Sequence, residues 1–253
     1  MIFDVMGKME TPEKGSRRPD MPENFPLFPL NLDLRDRPCL VAGGGRVAER
    51  KIRTLLACGA RAHVVSPEIR PALEELARSA PALRLSRRAV NPEDLNGVFL
   101  AFAATSRRDV NAALAAEARR QGIFCNIADD PARSDFTLPA VIRRGDLQIT
   151  LSTGGQSPAL SRHLRRELEG RFGPEYAVCL RLLGRARRDL LARGHDPAGH
   201  RDFFRAVLNE GLVETVRDAM QSAGEADGEA AGEQAGEILL HAMQRCAWPD
   251  DSA

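Results

Sequence analysis

Short apolar runs separated by amphipathic stretches dominate the first two thirds of the chain. Residues 25–34 (FPLFPLNLDL) alternate apolar and polar side chains near their end, predicting a strand that turns at Arg35-Asp36-Arg37. Pro38-Cys39-Leu40-Val41-Ala42 predicts a second strand, three glycines follow, and a helical pattern runs from Val47 through Arg53, Leu55 and Leu56 to a stop at Gly59. Further strands are predicted over 62–66, 83–86, 98–103 and 124–127, and helices over 71–79 and 111–121. Alternation of strand and helix over about 100 residues predicts a doubly wound parallel sheet.

The pattern then changes. Residues 147–152 alternate and lead into Thr153-Gly154-Gly155, and Ser157-Pro158 opens a helix with an N-cap hydroxyl, which Gly170 is placed to end. Residues 174–220 are almost wholly helical in pattern and rich in Arg. Residues 221–236 hold Gly, Ala, Glu and Asp but no large apolar side chain, and read as a solvated linker before a short amphipathic helix over 238–248. The first 24 residues are polar and read as a mobile leader.

Composition narrows the classes. In 253 residues, 36 Lys and Arg stand against 35 Asp and Glu, and the net charge of +1 gives no sign of a nucleic-acid binder. The 5 cysteines are scattered without a CxxC pair, which fits reduced thiols and a cytoplasmic setting. No apolar run is long enough to span a membrane. His63, His163, His195, His200 and His241 show no helical pairing with one another or with a Cys, so no resident metal is expected.

Gly43-Gly44-Gly45-Arg46-Val47-Ala48 fits G-x-G-x-x-A after an apolar strand and at a helix start. Glycine allows the tight turn and close approach of a pyrophosphate, Ala48 allows close packing, and the helix N-terminus offers unpaired N–H groups. The bland alternative is a glycine turn that merely joins strand to helix. At the end of the next strand Ser66 and Pro67 stand where an acidic ribose ligand is usual, with Glu68 and Arg70 just beyond, so NAD and NADP both stay open. Arg46, Arg107, Arg108, Arg133, Arg143 and Arg144 gather in or near predicted loops, where they suit an anionic ligand as well as plain solvent. The basic run 181–188 reads as the outer face of a helix, and Cys125 as a buried thiol.

Four segments together resemble one family: Leu34 to Lys51, Ala103-Ala104-Thr105 with Asn111, Phe124-Cys125-Asn126-Ile127-Ala128-Asp129, and Ser152 to Pro158. They are similar, in order and spacing from about Phe25 to Gly170, to the dehydrogenase and chelatase module of siroheme synthases, also found as stand-alone precorrin-2 dehydrogenases. The resemblance implies an α/β fold with a Rossmann-like doubly wound parallel sheet over 25–132, a small α+β dimerisation region over 133–170, a helical domain over 171–220 and the linker with its short helix over 221–253. It implies NAD-dependent oxidation of precorrin-2 to sirohydrochlorin, ferrous iron insertion in some members, and a homodimer. Asp129 becomes the catalytic carboxylate; Gly43 to Ala48, Ser66, Pro67, Ala104 and Thr105 hold the cofactor; Asn126, Arg133, Thr153, Gly154, Gly155 and Ser157 hold the substrate. Asp130 and Thr153 depart from the residues usual in the family. The competing expectation is a regulatory module that senses NAD without turnover.

Overall fold

The computed structural model describes residues 26–193 and 197–247; the leader expected over 1–24 lies outside the described residues. Residues 26–33 form no strand, contrary to the expectation for 25–34. Pro26 and Pro29 lack the amide hydrogen that a strand ladder needs, which outweighs the alternation beside them.

From Leu34 onward the expected α/β order appears. Strands β1 (Pro38–Ala42), β2 (Arg61–Val65), β3 (Leu83–Ser86), β4 (Leu100–Ala103) and β5 (Phe124–Ile127) form one parallel sheet in the order β3-β2-β1-β4-β5. Helices α1 (Arg46–Ala57), α2 (Pro71–Ser79) and α3 (Arg108–Arg120) connect successive strands. Because both faces are covered, the central strands are apolar throughout. Cys39 and Val41 of β1 join Leu100 and Phe102 of β4 in a core with Ala48, Ile52 and Leu55 of α1. Leu40, Ala42, Ala101 and Ala103 point the other way, to Leu114, Ala115 and Ala118 of α3. Each fully buried Leu or Val contributes about 1.5–3 kcal/mol.

A separate antiparallel hairpin follows, made of β6 (Ala140–Arg144) and β7 (Leu147–Leu151). The sequence pattern contains a clue to β6 that the alternation alone does not reveal: Gly145-Asp146, with Gly145 at φ 55°, makes a two-residue turn between apolar runs. Helix α4 (Pro158–Arg171) starts at the predicted cap, where the Leu160 N–H donates to the Ser157 hydroxyl at 3.1 Å. Its other end is closed by Arg144, which donates to the carbonyls of Glu169 and Phe172 at 3.0 and 2.8 Å.

Helices α5 (Glu175–Ala192), α6 (Pro197–Asn209) and α7 (Leu212–Ala247) share a third core that includes Val178, Leu182, Phe203, Val207, Leu212, Val216 and Leu240. The stretch 221–236, expected as a solvated linker, is helical and belongs to α7, which bends at Gly224 (φ 76°, ψ −177°). The bend brings the second half of α7 against the first and against α5. Gly228, Gly232 and Gly236 recur every fourth residue on the contact face, where a Cβ on Gly232 would lie 2.6 Å from Met220 Cγ and one on Gly236 would strike Leu182. Small residues here serve close helix packing instead of chain flexibility. The acidic residues of the same stretch are also used, since Arg185 pairs with Glu233 at 2.6 Å and Glu237 at 2.8 Å.

Candidate functional site

Strand order reverses direction at β1, whose two neighbours β2 and β4 lead to connections on opposite sides of the sheet. In such sheets the crevice beyond the carboxyl ends at this point receives ligands. Gly43 leaves β1 with φ 118°, and a Cβ there would strike the Ala104 carbonyl; a Cβ on Gly44 would strike the Glu68 carbonyl. These two glycines are therefore demanded by the fold itself. Gly45 differs, because a Cβ on it would meet nothing within 4 Å.

Open space over Gly45 coincides with the start of α1, which no side chain caps. The first N–H groups of that helix carry partial positive charge. Arg46 is exposed beside them, and among the described residues no hydrogen bond or ion pair engages its guanidinium. Val47 is also exposed, whereas Ala48 packs into the core. Ser66 and Pro67 stand at the end of β2, and Ala104 and Thr105 at the end of β4. All the residues predicted to hold a cofactor thus lie along one edge of the sheet, and the cradle fits a dinucleotide phosphate.

Thr105 is fixed by a residue absent from the predicted site. Buried Asn111 accepts through Oδ1 from the Thr105 N–H at 3.1 Å and hydroxyl at 2.6 Å, and donates through Nδ2 to the Thr105 carbonyl at 3.1 Å. Its place in the resemblance was the available signal.

Asp129 occupies the turn after β5, with 47% of its side chain exposed. Arg108 Nε lies 3.4 Å from its Oδ2, joining this turn to the one that follows β4. The turn is held from behind. Ser134 accepts from the Ile127 N–H at 2.8 Å, Asp135 accepts from the Cys125 N–H at 3.0 Å, and the Asn126 amide donates to the Phe136 carbonyl at 2.9 Å. Residues 134–136 therefore clasp the length of β5 and leave Asp129 facing outward. The neighbouring Asp130 is already committed: it accepts from the Arg133 N–H at 3.2 Å and pairs with its guanidinium, which holds the Asp130 carboxyl below the usual carboxylate range.

Several residues expected to touch substrate have other duties in the structure. Asn126 is buried with both ends of its amide engaged, Oδ1 by Lys51 and Nδ2 by Phe136, so it braces the turn. Arg133 is paired with Asp130. Thr153, Gly154, Gly155 and Ser157 form the turn from β7 into α4, and the Thr153 hydroxyl is taken up by Ser157 and by Ser161 at 3.1 Å. Cys125 is buried, and its surroundings push the thiol up to about 11, which keeps it protonated. Among the described residues no three His, Cys, Asp or Glu side chains gather as metal ligands.

Comparison with known proteins matches residues 30–140 to an NAD(P)-binding family and residues 144–171 to the central region of sirohaem biosynthesis proteins. Siroheme synthase 1 of Aeromonas salmonicida is 40% identical over 182 residues, which is 72% of this chain and 39% of the relative. Siroheme synthase of Chromobacterium violaceum is 40% identical over 190 residues, 75% of this chain and 40% of the relative. Over these residues the chain is similar to the NAD(P)-binding and central module of siroheme synthases. It spans about two fifths of the length of these curated relatives. The module's fold is also that of the solved SirC, precorrin-2 dehydrogenase, with a TM-score of 0.65 at 23% identity over 87% of this chain and 100% of the other.

Proposed function

We propose that the chain oxidises precorrin-2 to sirohydrochlorin with NAD as the hydride acceptor. The observation that carries this reading is the meeting of two turns at the sheet edge: Arg108, just beyond the Ala104-Thr105 turn, touches Asp129, beyond β5. A cradle for a dinucleotide and an outward carboxylate thus stand beyond the carboxyl ends of strands of the same sheet. When bound, NAD supplies the acceptor for one hydride. The N–H groups opening α1 and the Arg46 guanidinium would hold its phosphates, and Asn111 fixes the Thr105 turn. Asp129 takes the proton that must leave the tetrapyrrole along with the hydride. NAD is preferred to NADP because Arg70, the cation placed to meet a 2′-phosphate, lies 3.4 Å from Glu49. Ferrous iron insertion into the product would release two pyrrole N–H protons, for which the same carboxylate can serve, with iron as a substrate.

A homodimer belongs to this reading. Helix α4 buries none of its residues within the chain and leaves Leu160 exposed, and Leu138, two residues before β6, is exposed as well, which supports cover by a second copy. A monomeric mass at micromolar concentration would contradict this part. Among the described residues no helix is long and apolar enough to cross a membrane.

Asp129→Ala tests the chemistry. Oxidation should fall by about 100-fold or more, the scale of lost acid–base assistance, while NAD affinity stays within about threefold. Near-normal turnover would remove Asp129 from the reaction.

A further inference from the structure

Lys51 stands on the buried stripe of α1, between Ala48 and Leu55 and beside Ile52, with only 7% of its surface exposed. Burying an ammonium without an anion is costly, and such groups are usually paired. Among the described residues no carboxylate lies within ion-pair distance of Lys51. Its ammonium instead donates to Asn126 Oδ1 at 2.8 Å and sits 4.9 Å from the centre of the Phe102 ring. Burial, with a smaller contribution from Arg50, lowers its pKa to about 8. A methionine would fill this space without a charge to desolvate.

The contact sets the orientation of the Asn126 amide. An ammonium can only donate, so it selects Oδ1 and turns Nδ2 toward the Phe136 carbonyl, where it donates at 2.9 Å. The opposite orientation would set donor against donor and acceptor against acceptor. Phe136 lies at the end of the clasp that holds β5 and closes the turn carrying Asp129. Lys51 projects from the helix whose first turn forms the phosphate cradle, which links the cradle to the carboxylate through two side chains.

We propose that Lys51 is a positioning residue: its ammonium orients Asn126, whose amide secures the 134–136 clasp and so fixes the Asp129 turn against the dinucleotide crevice. This rests on the oxidation reading above. The test uses the full-length protein with Lys51→Met, which removes the charge, and Asn126→Asp, which keeps an acceptor for Lys51 but replaces the donor to Phe136 with oxygen. Both variants should lower kcat for precorrin-2 oxidation by about 100-fold, the scale of a misplaced catalytic group. NAD affinity should stay within about threefold, amide exchange over 127–136 should quicken, and Lys51→Met should melt no lower than the parent. Parental kcat and parental exchange in either variant would overturn the proposal. So would kcat losses that merely track lower melting temperatures, or a Lys51→Met chain that does not fold, because the ammonium would then be a structural element alone. A parent inactive on precorrin-2 despite binding NAD would refute the oxidation reading, and the exchange measurement would still decide whether Lys51 secures the clasp.

Discussion

Gly45 and Gly236 sit in opposite surroundings. A Cβ on Gly45 would meet nothing within 4 Å, whereas one on Gly236 would strike Leu182, with Val216 Cγ2 at 3.1 Å. One glycine keeps room for a molecule from outside, and the other lets two helices of the same chain touch. Buried charge divides the same two regions. In the helical region Glu175 is buried with its carboxylate held by Arg217 Nε and Nη2 at 3.1 and 3.0 Å, while in the nucleotide-binding region Lys51 is buried with no carboxylate of the described residues in reach. A buried charge left without an ion partner costs stability, and it lies, like the open space, in the nucleotide-binding region. The helical region shows neither in this pair.

The largest effect that sharpens this contrast is the pH response of Lys51. Its folded pKa of about 8 lies below the ordinary 10.5, so the unfolded chain binds more protons between these values and stability rises with pH across that window. The penalty is fully present below pH 8. Relative to Lys51→Met, the parent should gain about 3 kcal/mol between pH 8 and 10.5, measured by denaturant unfolding. Taking the difference cancels the buried thiols of Cys39, Cys125 and Cys179, each pushed up to about 11, which act in the other direction. A constant gap would show that the ammonium pays no burial penalty.

Next in size is Gly45→Val. Its side chain should occupy the cradle and weaken NAD binding by about 100-fold, roughly 2.7 kcal/mol, while the melting temperature stays within about 3 °C. Unchanged affinity in a folded variant would move the cofactor elsewhere. Smallest is Gly236→Leu, which should destabilise the chain by about 1–3 kcal/mol through overpacking and leave NAD affinity unaltered. Equal stability would mean that the two helices are not in close contact there.

The same contrast explains which features were legible in the sequence. The parallel sheet was, because β1 and β4 are apolar on both faces and glycines punctuate the turn between β1 and α1. The cradle was legible for the same reason. Residues 221–236 were misread because a Gly and Glu composition describes both a solvated linker and a helix that packs closely and pairs with Arg; only the four-residue spacing of Gly228, Gly232 and Gly236 distinguishes them. Residues 26–33 misled through alternation that two prolines cancel. Lys51 and Asn126 are separated by 75 positions, so their hydrogen bond is invisible to local pattern, although a Lys on the apolar stripe of α1 was a visible anomaly.

One anaerobic experiment addresses the central claim most directly. Purified protein is mixed with precorrin-2 and NAD in the absence of metal, and NADH and sirohydrochlorin are followed together by absorbance. The account predicts that both appear in equal amounts, one hydride transferred for each tetrapyrrole oxidised. NAD binding without either product would contradict it and leave the crevice as the sensing site of a regulatory module.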